Sequence, residues 1–118
     1  MRLINSFVFA FNGLKICFAS EANFKVHVIL ATAVLILGAF FKISNTEWLA
    51  VTICIAFVTA TEMINTAIEK LCDLVQKDFH PGIKKVKDIA AGAVLLTAVS
   101  SLVIAVVIFL PKIITLIK

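Results

Sequence analysis

Apolar residues fill three long stretches of the chain, roughly residues 24–41, 48–75 and 89–110, and most polar positions gather between them. A helix needs about 20 mostly apolar residues to cross a bilayer, so each stretch predicts a transmembrane helix. The first ends at FKISNTE, a short polar turn carrying Ser44 and Asn45, and the third is stopped by Pro111. Between the second and third lies QKDFHPGIKKVKD, a loop whose Pro-Gly pair breaks helix and whose lysines hold it in water. Ahead of the first stretch, residues 1–20 set Phe7, Phe11, Leu14 and Phe18 at helical spacing, with Arg2, Asn5, Asn12 and Lys15 elsewhere around the wheel. That pattern predicts an amphipathic helix lying in the membrane interface. Trp48 is placed as an interfacial anchor.

Composition makes this an integral membrane protein. Of 118 residues, 62% are hydrophobic and 15% charged, which is too apolar for an ordinary soluble domain and too short for more than one. Residues 1–118 therefore read as a single all-α membrane-embedded domain. The net charge of +4 does not point to nucleic acid, because the lysines flank apolar runs instead of forming a polar face with interleaved aromatics. Cys17, Cys54 and Cys72 are odd in number and lack metal-ligand spacing, so they read as small apolar fillers. The opening MRLINSFVFAFNGLK has the basic start of a signal peptide, but Asn12, Gly13 and Lys15 interrupt its apolar run and no cleavage pattern follows. It is expected to stay in the mature protein.

Orientation follows from the basic residues. With three spans, Arg2, Lys15, Lys25, Lys70, Lys77, Lys84, Lys85 and Lys87 share one side, against Lys42, Lys112 and Lys118 on the other. That imbalance puts the N-terminus and the second loop in the cytoplasm, where positive charge meets anionic lipid. The chain shows no internal repeat and no low-complexity segment.

The stretch TEMINTAIEKLCD, residues 61–73, carries acids into this apolar setting. At about 100° per residue, Glu62, Asn65, Glu69 and Asp73 stand at roughly 0°, 300°, 340° and 20°, one stripe facing inward or toward a partner. A carboxylate in hydrocarbon costs about 2.5 to 3.5 kcal/mol even on the lenient insertion scale, so these acids lie near the cytoplasmic surface, pair, or bind a cation. Neutralisation by Lys70, Lys77 or the loop lysines would account for Glu69 and Asp73 as a solvated helix end. Glu62 has Ile64, Ala67 and Ile68 nearby and no basic residue within a turn, which makes it a candidate general base near the lipid head-group level.

Glu21, where the interfacial helix meets the first span, reads either as a helix-start acid favoured by the dipole or as part of a metal site. Together with Glu69 it would suit magnesium, which takes one or two protein carboxylates and fills its shell with water and phosphate oxygens. Lys84, Lys85 and Lys87 then supply phosphate counter-charges, beside the plainer reading of positive-inside topology. Base, metal ligands and lysines at one membrane face suggest phosphoryl transfer to a lipid hydroxyl. No G-x-x-x-x-G-K-[ST] or G-x-G-x-x-G loop is present, so any nucleotide site must be built from helix ends.

The run E-M-I-N-T-A-I-E-K-L-C-D resembles the prokaryotic diacylglycerol kinase family, with E-A-N-F-K before it and H-P-x-x-K-x-x-K-D-x-A-A-G-A-V after it. The likeness extends from Arg2 to Leu110. It implies an ATP-dependent lipid kinase of the bacterial inner membrane, a homotrimer with an interfacial helix and three transmembrane helices per chain, and active sites shared between subunits. By position it makes Glu62 the base, Glu21 and Glu69 the magnesium ligands, and Asn65 and Asp73 their support. His80, Lys87, Asp88 and Arg2 become contacts to ATP. F-K-x-H at residues 24–27 and the motif at residues 80–92 are similar to the undecaprenol-phosphorylating branch. Diacylglycerol-specific members tend to carry an acid at His27 and a serine at Ala91, so the resemblance favours undecaprenol over diacylglycerol, with His27 and Ala91 at the lipid. A lone histidine at the start of a span is otherwise an ordinary interfacial polar residue.

Two other classes compete. A small proton-coupled exporter needs a carboxylate near the bilayer midplane, whereas these acids cluster at one end. A catalytically silent structural subunit would not need the complete acid set.

Overall fold

The computed structural model describes residues 1–118 as four helices: α1 (Arg2–Ser20), α2 (Ala22–Phe41), α3 (Asn45–Val75) and α4 (Pro81–Ile117). The expected all-helical architecture is met, and each of the four is long and apolar enough to cross a membrane by length and composition. Glu21 alone separates α1 from α2. Its extended backbone (φ −114°, ψ 110°) breaks the helix while its N–H closes α1 on the Cys17 carbonyl.

The turn from α2 into α3 is built by Lys42 in the left-handed region (φ 51°, ψ 54°). The Lys42 N–H donates to the Ala39 carbonyl at 3.3 Å and the Ile43 N–H to the Gly38 carbonyl at 3.2 Å, the paired C-terminal closure of a Schellman motif. Left-handed backbone costs a non-glycine residue about 1–2 kcal/mol, so the turn depends on what packs over it. That cover is Trp48, whose ring lies so close to Gly38 that an added Cβ would meet its Cη2 atom at 2.7 Å. Ser44 then starts α3 through a capping box. Its Oγ accepts from the Glu47 N–H at 3.2 Å, and its N–H donates to Glu47 Oε1 at 2.9 Å.

Two expectations about proline are corrected. The Pro-Gly pair opens α4 instead of breaking it, because proline at the first helical position lacks only an N–H that would have no partner there. The loop shrinks to residues 76–80, and Lys84, Lys85 and Lys87 ride on the first two turns of a helix. Nor does Pro111 stop α4, which runs on to Ile117. Proline removes one hydrogen bond, whereas unwinding in lipid would strand a whole turn of peptide groups. Side chains bind carbonyls nearby: Lys112 Nζ donates to Ile108 O at 3.1 Å and Thr115 Oγ1 to Pro111 O at 2.9 Å.

α4 lies along α3, α2 packs on α3 less extensively, and α1 touches the others only near its end. A small core of Ile43, Val51, Ile108 and Phe109 sits at the α2–α3 turn, with Val34, Phe41 and Trp48 packed against it. Further along, Thr61 and Thr97 join α3 to α4 through a 3.0 Å hydroxyl–hydroxyl hydrogen bond. Only 12 of the 118 residues are buried, so most apolar side chains face outward, as a chain surrounded by hydrocarbon or by copies of itself requires.

Glu47, just outside the second apolar stretch, ties the two ends of this core together. Its Oε2 accepts from Lys112 Nζ at 2.7 Å. That hydrogen bond first, and the Ser44 N–H second, hold its carboxyl below the usual range. A carboxyl lowered by folding contributes stability above its unfolded value and loses it as pH falls through the folded value. Lys112→Met should therefore melt below the native chain in detergent at neutral pH, and the gap should close as pH drops below about 4.3. A gap that persists in acid would assign the Lys112 effect to packing.

Candidate active site

The acid stripe of α3 grades from buried to exposed along the helix. Glu62, Asn65 and Thr66 are buried, Glu69 is half-buried and Asp73 is open to the surroundings. The interval from Glu62 to Asp73 covers about 16 Å of helix at 1.5 Å per residue. Glu62 thus lies deepest.

Its partner comes from another helix. His27 of α2 places Nε2 3.5 Å from Glu62 Oε2, with the histidine side chain 20% and the carboxylate 5% exposed. This contact answers the absence of any basic residue near Glu62 in the sequence. His27 also lines one end of an apolar groove of about 240 Å³. The groove runs between α2 and α4 over a floor of α3, with Leu30, Val58, Ala98 and Leu102 on its walls and Phe109 toward the far end. A flexible apolar chain fits such a surface, and its end would meet the His27–Glu62 pair.

One turn beyond Glu62, Asn65 Nδ2 donates to Glu69 Oε1 at 3.1 Å, while Asn65 Oδ1 is buried without a hydrogen-bond partner. A buried acceptor left unpaired in this way is uncommon and calls for a donor or a cation. Glu21 at the α1–α2 hinge lies 3.7 Å from Lys70 Nζ on α3, so the hinge acid and the stripe occupy the same region. No group of three or more histidine, cysteine or acidic side chains converges there. The protein alone offers hard oxygen ligands but not a closed cage.

The polar end is made by α3 meeting α4. Lys87 Nζ donates to Asp73 Oδ1 at 2.8 Å, and that hydrogen bond raises the lysine above its ordinary value. Lys84 pairs with Asp88 at 2.6 Å on the same helix. His80 caps α4, its Nδ1 accepting from the Gly82 N–H at 3.0 Å. A side chain at Gly82 would crowd that ring, since an added Cβ would lie 3.1 Å from His80 Cε1.

A single chain therefore brings together Glu62, His27, Asn65 and Glu69, with Glu21 beside Lys70 and Asp73 beside Lys87. Two nominated residues stand apart. Ala91 is exposed on α4 and does not line the groove, and Arg2 is exposed at the far end of α1, about 28 Å of helix from Glu21. Three contributors went unnominated. Thr66 lies one turn after Glu62 on the same stripe and was open to the helical-wheel argument. Lys70, named in the sequence only as a neutraliser of Glu69 and Asp73, meets Glu21 of another element instead, and the Thr61–Thr97 bond gave no local signal.

Comparisons with known proteins agree with one another. The profile described as prokaryotic diacylglycerol kinase matches residues 8–109. The chain is 42% identical over 111 residues to an undecaprenol kinase of Bacillus subtilis, covering 94% of this chain and 90% of that one. It is 33% identical over 118 residues to a diacylglycerol kinase of Synechocystis, covering 98% of this chain and 66% of the relative. A diacylglycerol kinase of Helicobacter pylori is 34% identical over 95 residues, with 80% and 74% covered.

Proposed function

The chain belongs to the prokaryotic diacylglycerol kinase family, and on that premise we propose that it transfers the γ-phosphate of ATP to the hydroxyl of a membrane lipid alcohol, undecaprenol in preference to diacylglycerol. The observation that carries this reading is the buried Glu62 3.5 Å from His27, which lines an apolar groove, with Asn65 and Glu69 farther along the same helix. The 42% identity to an undecaprenol kinase supports the choice of lipid.

Glu62 accepts the hydroxyl proton as the lipid oxygen attacks, which raises the nucleophilicity of an alcohol that is otherwise too weak. Its depth suits the task. About 21 Å of helix separates Trp48 from Glu62, which leaves the carboxylate about 9 Å inside the far boundary of a 30 Å hydrocarbon layer, within reach of a lipid hydroxyl. Glu69, Asn65 and Glu21 would hold magnesium: they supply hard oxygens, and the unpaired Asn65 Oδ1 is the kind of ligand such an ion uses. A magnesium ion held there would supply charge neutralisation for the ATP phosphates. Lys87 and His80 contact the phosphates or base of ATP, Asp88 and Asp73 fix the lysines, and Arg2 adds charge from outside the local cluster.

The wider arrangement follows the same reading. The molecule extends 56 × 41 × 21 Å. α1 packs least on the other helices and suits the interface plane, while α2, α3 and α4 cross the inner membrane. The N-terminus and the 76–80 loop face the cytoplasm, where ATP is available. A homotrimer would cover exposed apolar faces and let a neighbouring chain reach Arg2 and Ala91.

The direct test offers undecaprenol and diacylglycerol side by side in mixed micelles with labelled ATP. Undecaprenyl phosphate should dominate. Dominant phosphatidic acid would overturn the substrate preference and keep the chemistry, and label in neither lipid would remove the kinase reading.

A further inference from the structure

Taking a proton leaves Glu62 with a second task. Its side chain is 5% exposed, so once protonated it has almost no water into which to release the proton before another turnover. The basic group of another helix that meets it is His27, at 3.5 Å and four times as exposed. The surroundings offer little competition. α1 contributes the buried Cys17, Glu21 at the hinge is engaged with Lys70, and Glu69 on α3 is engaged with Asn65. α4 faces the groove with Ala98, Ser101, Leu102, Ile104, Ala105 and Phe109, none of them ionisable at neutral pH.

We infer that His27 resets Glu62 by carrying its proton out of the site. This assignment rests on the kinase reading. In the transfer step the lipid O–H proton passes to a Glu62 oxygen while the lipid oxygen bonds to the γ-phosphorus. The bond from that phosphorus to the β–γ bridging oxygen breaks, and its electron pair leaves on ADP. Glu62 then gives the proton to Nε2 of His27, and the imidazolium releases it from its exposed edge once the product lipid has left the groove. The overall sum is one alcohol and one ATP converted to one phosphate monoester, one ADP and one proton. His27 acts through Glu62.

The test compares native protein, His27→Gln and His27→Ala in lipid micelles, following single turnovers and steady state across pH. His27→Gln should keep a first turnover near one product per site and then slow by about tenfold or more, with KM for ATP unchanged. Steady-state rates across pH should follow a different profile in His27→Gln than in the native protein. Free imidazole should restore steady-state turnover to His27→Ala and not to Glu62→Gln. An active native enzyme with an unaltered rate and pH profile in His27→Gln would overturn the assignment alone. So would loss of the first turnover, or a rise in lipid KM with kcat intact, which would make His27 a lipid contact. Should the native chain label no lipid, the kinase reading fails and this assignment falls with it.

Discussion

Glu62→Gln should lower the rate of lipid phosphorylation by about 10²- to 10⁴-fold, the usual contribution of a general base, while KM for ATP stays within a few-fold of native. The expectation follows from position. Glu62 is buried, its opposite neighbour is a histidine, and the nearest candidate magnesium ligand is one turn away at Asn65. Removing one member of a buried ion pair is usually costly because it strands the other charge. Here the partner is His27, which is partly exposed, and glutamine keeps the volume and one acceptor. Thermal melting in detergent should therefore change little. Labelled-product assays and melting curves on the same preparation separate the two effects. A variant that retains most of its activity would take Glu62 out of the role of base.

Glu69→Ala should act on a different variable. If Glu69 and Asn65 present oxygens to magnesium, losing the carboxylate should raise the half-saturating magnesium concentration by at least about tenfold, with partial recovery of activity at high magnesium. The same substitution frees Asn65 Nδ2, whose acceptor is Glu69 Oε1. The buried amide then has no partner at either end, so a modest loss of stability should accompany the change. Activity titrated against magnesium at saturating ATP distinguishes ligand from scaffold. An unchanged titration curve with lower thermal stability would leave Glu69 a structural acceptor.

The membrane class, the helix type of each segment and the acid stripe were legible because they are local properties. Composition decides the solvent, and a period near 3.6 decides which residues share a face. Proline misled the sequence reading twice for the same reason. A rule about helix interiors does not say where an interior begins, and Pro81 turned out to be a first residue. At Pro111 the cost of one missing hydrogen bond was outweighed by the larger cost of unwinding in an apolar surrounding.

What the sequence alone determined is that Glu62 shares one face of a membrane helix with side-chain oxygens one and two turns beyond it. Tertiary structure decided what those groups meet. Glu62 faces His27 across 35 positions of sequence, Glu47 meets Lys112 across 65, and Thr61 meets Thr97 across 36. No periodicity encodes such pairings. They depend on the depth at which each helix packs against the next, which for α2 on α3 is set by the tight turn at Lys42 and the approach of Trp48 to Gly38.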